Sequence, residues 1–118
     1  MVEERRKEQR YFVREGALAF VGTTAATITD ISRSGMGLKV IDFDEQQDKD
    51  LTLDIFFADD GFYLPDVPAT LVTEHVVPKA FHFSFLSVCR LGVRFGTLTS
   101  EQEKALTGFV QHNVIAEA

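Results

Sequence analysis

Short apolar runs divided by polar turn residues set out the chain as a series of strands followed by one helix. The pattern turns apolar at Tyr11-Phe12-Val13 and continues through Ala17-Leu18-Ala19-Phe20-Val21, predicting a first strand that ends at Gly22-Thr23-Thr24. Ala25 to Ile31 and Met36 to Phe43 predict the next two strands, with a polar turn between them. Leu51-Thr52-Leu53-Asp54-Ile55-Phe56-Phe57 alternates before becoming wholly apolar, as a strand with one buried face does. Ala58-Asp59-Asp60-Gly61 then predicts a hairpin turn, since Asp-Gly supplies the positive φ that such turns require. Phe62 to Leu64 opens a further strand that Pro65 and Pro68 are expected to interrupt or confine to an edge, because proline donates no ladder hydrogen bond. Ala69 to Val77 resumes it, and Pro78-Lys79 closes it. Phe81, Phe83 and Phe85 repeat with period two, and Val88 to Phe95 is the last strand.

Beyond Gly96 the period changes. Thr99-Ser100-Glu101-Gln102-Glu103 carries two overlapping capping-box signatures, and Leu106, Phe109, Val110 and Val114 follow at three- and four-residue steps. A helix over about residues 100–116 with one apolar stripe is predicted. Six or seven strands with hairpin punctuation and one terminal helix specify an all-β domain, an antiparallel barrel with the helix packed on it. With 118 residues the chain has the size of one such domain.

The turn between the second and third strands holds the first candidate chemistry. In Asp30-Ile31-Ser32-Arg33-Ser34-Gly35 a carboxylate, a hydroxyl and a glycine sit where the chain reverses. A purely structural Asx-turn, with Gly35 and Gly37 at positive φ, accounts for this stretch taken alone. The preceding residues change its meaning. Arg6 and Arg10 place two planar five-donor forks four residues apart, suited to phosphate, to the O6/N7 edge of guanine and to stacking on a purine face. A carboxylate complements the N1–H and N2–H₂ donors on guanine's Watson–Crick edge. Arginine forks with a carboxylate therefore suit an anionic guanine nucleotide.

Arg5-Arg6-Lys7-Glu8-Gln9-Arg10 followed by Asp30-x-Ser32-x-x-Gly35 resembles the RxxxR and (D/N)xSxxG pair of PilZ domains, bacterial receptors for cyclic di-GMP. Leu91-Gly92-Val93-Arg94-Phe95 and the helix after it also resemble the end of such a domain, so the likeness covers nearly the whole chain. The resemblance implies a six-stranded antiparallel β-barrel with a C-terminal helix over residues 15–118. A flexible basic arm over residues 1–14 would carry RxxxR. It further implies that Arg6 and Arg10 contact the phosphates and guanines of cyclic di-GMP, that Asp30 accepts from a guanine, that Ser32 bonds ligand or arm, and that Gly35 allows close backbone approach. Arg5 and Arg33 are secondary ligand-binding candidates. The expected activity is that of a receptor whose arm changes conformation to signal to a downstream protein; the alternative is a ligand-independent interaction module of the kind found in pilus or motility assembly.

Charge and composition narrow the classes. The net charge is −6, yet residues 5–14 carry five basic groups against Glu8 alone, a local +4 that leaves −10 for the rest. Such an arm suits a small dianion, while the acidic body disfavours long nucleic acids. One cysteine, Cys89, excludes an internal disulfide and a multi-cysteine zinc site, and in its apolar run it is expected to be a small buried hydrophobe. His75, His82 and His112 show no ligand spacing, and neither a P-loop nor a nucleophile elbow is present, so no metal, cofactor or catalytic role is expected. No apolar run reaches the ~20 residues of a membrane span. A cytoplasmic monomer or homodimer is the expectation.

Overall fold

The structure is a computed structural model, and it describes residues 8–41, 49–77 and 87–118. Arg5, Arg6 and most of the predicted arm, the acidic stretch after Ile41 and the Phe81–Phe85 alternation lie outside the described residues.

Eight strands and one helix follow in the order β1 (Tyr11–Val13), β2 (Ala17–Val21), β3 (Thr24–Ile31), β4 (Gly35–Ile41), β5 (Asp50–Phe57), β6 (Phe62–Val77), β7 (Val88–Phe95), α1 (Ser100–Asn113) and β8 (Val114–Glu117). Every pairing is antiparallel. The sheet runs β2-β5-β6-β7-β4-β3, and β2 also pairs with β3, which closes six strands into the predicted barrel. Closure leaves those strands no unpaired edge. Alternation supplies the interior: Ala17, Ala19 and Val21 of β2, Met36, Leu38 and Val40 of β4, and Cys89, Leu91 and Val93 of β7 are all buried.

β2 pairs with β3 only over Thr24 to Thr27, and β1 pairs with the far end of β3, with Tyr11 opposite Ile31 and Phe12 opposite Asp30. The boundary expected at residue 14 therefore falls earlier. Tyr11–Val13 is a strand of the sheet, separated from β2 by a turn at Gly16, whose φ of 103° ends the run. β8 pairs in turn with β1.

The helix also ends before residue 116. Its capping box forms as predicted, with Thr99 Oγ1 accepting from the Gln102 N–H and Gln102 Oε1 accepting from the Thr99 N–H, both at 3.0 Å. It stops at Asn113 because β-branched Val114 and Ile115 favour extended backbone, and β1 offers them a strand partner. The Asn113 carbonyl accepts from the Arg14 N–H, and Leu106 and Phe109 bury the helix against the barrel. The Phe109 ring lies 5.0 Å from that of Phe62 and 6.3 Å from that of Phe57.

β6 runs unbroken for 16 residues, so the two prolines do not interrupt it. Pro65 and Asp66 together face Asp54, a β-bulge in which Asp66 takes a φ of 60° and donates its N–H to Asp54 Oδ1 at 2.9 Å. Pro68 turns its carbonyl toward the end of β7, where it accepts from the Gly96 N–H, and so its nitrogen removes no bond to β5.

Candidate ligand-binding site

The outer wall of the barrel at β3, β4 and β7 gathers the signature residues. A register shift between Ile28 and Asp30 leaves Thr29 without a partner of its own. Ile28 and Ile31 are thereby both buried, while Thr29 and Asp30 both reach the outer face. Asp30 faces Gly37 across the ladder, and Gly37 faces Gly92. The Asp30 carboxylate leans over Gly37 so closely that a Cβ there would stand 2.7 Å from Oδ2. From the other side, the Thr73 hydroxyl of β6 leans over Gly92, 2.5 Å from where its Cβ would be. Two glycines thus form a bare floor between a carboxylate and a hydroxyl. Exposed cations frame it: Arg94, opposite Gly35, on one side, and the opposed pair Lys39 and Arg90 on the other.

Arg10 joins this wall from just before β1. Its Nη1 lies 3.2 Å from Asp30 Oδ1, with the side chains 45% and 20% exposed. Thr29 Oγ1 lies 3.1 Å from both Asp30 Oδ2 and the Gly37 carbonyl, so its single proton serves that pair of acceptors. An ionised carboxylate has about four lone-pair sites. Among the described residues, Arg10 and Thr29 use two of them.

Ser32 and Gly35 play other parts. Ser32 is nearly buried; its N–H donates to the Gly35 carbonyl at 2.9 Å and its hydroxyl reaches the same oxygen at 3.4 Å. It shapes the turn. Neither Gly35 nor Gly37 has positive φ, contrary to expectation. Gly35 is required because any Cβ would collide with the Val93 carbonyl of β7. Ser32 and Arg33 line a cavity of about 400 Å³ beneath α1, shared with Tyr11, Leu106 and Val110. The structure therefore brings Arg10 and Asp30 together, keeps Ser32 and Gly35 as the frame beneath them, and sets Arg33 toward the helix side.

Three contributors were not assigned to the site from the sequence. Gly37 repeats Gly35 at the two-residue period of one strand face, which is a legible signal. Glu8 is the lone acid of the basic segment, and its Oε1 accepts from the Ser34 N–H at 3.2 Å and the Ser34 hydroxyl at 2.6 Å. It fastens the start of the chain to the signature turn. Thr29 depends on the bulge, for which the sequence has no distinct sign.

Among the described residues, no group of three or more His, Cys, Asp or Glu side chains is placed to hold a metal ion, and no helix is long and apolar enough to cross a membrane. The family model of the PilZ domain matches residues 4–112. The chain belongs to the PilZ family. PilZ-fold structures similar to it include MrkH of K. pneumonia in complex with c-di-GMP, at TM-score 0.74 and 14% identity over 93% of this chain and 52% of that one. A second is the PilZ domain of YcgR from Escherichia coli with c-di-GMP, at TM-score 0.66 and 16% identity over 88% of this chain and 87% of that one. The PilZ chain described here thus spans about half the length of MrkH. At these identities the likeness is one of fold. No curated protein sequence matches the chain.

Proposed function

We propose that this PilZ domain is a cyclic di-GMP receptor in which Arg6, Arg10 and Asp30 grip the nucleotide on the outer wall of the barrel. The observation that carries the reading is the Arg10–Asp30 ion pair, which sets the second arginine of RxxxR against the first residue of (D/N)xSxxG beside the glycine floor. An exposed pair of this kind contributes at most about 1 kcal/mol. Charge-assisted bonds to phosphate or guanine contribute about 1.5–3 kcal/mol each, so a ligand can draw Arg10 away from Asp30. Asp30 then accepts from guanine N1–H and N2–H₂, and the two guanidinium forks take phosphate or the O6/N7 edge. Ser32 and Gly35 hold the turn in shape, and Arg5 and Arg33 are secondary candidates for ligand contact.

The domain acts as a binding module rather than a catalyst. Ligand that bridges residues 5–10 to the barrel wall changes the surface presented to a downstream protein. The MrkH and YcgR structures similar to this chain are both complexes with c-di-GMP, which supports the choice of ligand. Calorimetric titration of cyclic di-GMP into wild type, Arg10→Ala and Asp30→Ala, with GTP as control, tests the reading. Binding at micromolar concentration or tighter that both substitutions abolish, with GTP silent, is the expected outcome. A folded wild type that gives no heat and no thermal stabilisation sinks it and leaves the interaction module in its place.

A further inference from the structure

We infer that Phe12 is the stacking surface for one guanine base of the ligand; the inference rests on the cyclic di-GMP reading above. β1 alternates so that Val13 turns into the core at 7% exposure, while Phe12 turns outward at 47%. Phe12 pairs with Asp30 on one side and with Ala116 on the other. A single lateral row therefore crosses the outer wall in the order Ala116, Phe12, Asp30, Gly37, Gly92, Thr73. It runs from an aromatic ring through a carboxylate to the glycine floor. Adjacent strands stand about 4.8 Å apart, so a base laid on the Phe12 ring has its edge within reach of the neighbouring carboxylate.

The chemistry of the three groups is complementary. A phenyl face receives a purine face, Asp30 receives its Watson–Crick donors, and Arg10, two residues before Phe12, reaches Asp30 from the same side. The ring is also half exposed. Among the described residues no aromatic ring or cation packs on Phe12, whereas exposed Phe56 is met edge-on by Tyr63 at 6.3 Å, and Arg14 covers Phe57 at 5.4 Å. Its neighbour Ala116 is too small to cover it. Phenylalanine offers no hydrogen bond to water at that position, so its exposed face gains by being covered.

The sequence contains no tryptophan, so Phe12→Trp introduces the only indole and keeps a stacking face. Saturating cyclic di-GMP is expected to quench and shift its emission, while Phe56→Trp, on the β5 wall, reports no change. Phe12→Ala and Phe12→Leu are both expected to weaken binding about tenfold by calorimetry, since leucine restores bulk but no π-face. Thermal melts of all variants are expected to stay near wild type, because the ring is half exposed. Wild-type affinity in both Phe12→Ala and Phe12→Leu, or unmoved indole emission while calorimetry registers binding, overturns this inference and leaves the receptor reading intact. No binding by folded wild type overturns both.

Discussion

A methyl group at Gly37 and one at Gly35 would have opposite consequences, although the two glycines sit two residues apart on one strand. At Gly37 the collision is with the end of the Asp30 side chain, so Gly37→Ala displaces the carboxylate and spares the ladder. At Gly35 the collision is with the backbone of β7, which cannot yield without separating two strands. Gly37→Ala is therefore expected to lower cyclic di-GMP affinity in calorimetry with little loss of stability, and to add nothing further on an Asp30→Ala background. Gly35→Ala is expected to lose about 3 kcal/mol or more in urea unfolding, or to fail to fold. Residue type and spacing, together with the resemblance to the PilZ signature pair, put Arg10, Asp30, Ser32 and Gly35 forward as site candidates, and the structure sets them around one turn. The positive φ of the purely structural Asx-turn is absent from both glycines, and the close approach at Gly35 is to the backbone of β7, a contact between strands that leaves no local mark.

At the scale of elements, the most consequential piece is also the shortest to overlook. β8 pairs with β1, the Ala118 N–H donates to the Arg10 carbonyl at 2.8 Å, and the Asn113 carbonyl accepts from Arg14. The C-terminal residues thus clamp the backbone from Arg10 to Arg14, on both sides of Phe12. Deleting residues 114–118 is expected to speed amide hydrogen exchange across residues 10–14 at least tenfold while barrel strands keep their protection. Equal protection in the truncated protein would show that β1 holds its place through β3 alone. The helix start was legible because a capping box is written in contiguous residues. The end of the helix was not, since it depends on a strand edge about 100 residues earlier in the chain. The bulge that carries β6 past Pro65 was hidden for a related reason: an Asp54 carboxylate on the neighbouring strand stabilises Asp66 there.

For the whole molecule, closure of the barrel and the distribution of charge act together. A chain of net charge −6 presents Arg10, Lys39, Arg90 and Arg94 on one wall, a distribution that suits a small dianion without creating a basic face for long polyanions. That architecture was readable as a barrel with a terminal helix, while the β1–β8 extension, which makes eight strands of six, was not. The position of Cys89 has a use unrelated to its packing. It is the single thiol, 2% exposed, between Val40 of β4 and Val76 of β6. A bulky disulfide reagent reaches it only when the β4–β7–β6 seam parts, so the colour released per minute counts spontaneous openings of the barrel. Cyclic di-GMP spread across that seam is expected to slow the count by a factor of about 1 + [L]/Kd. The native protein thereby carries its own stopwatch for the grip of a ligand, with no label attached.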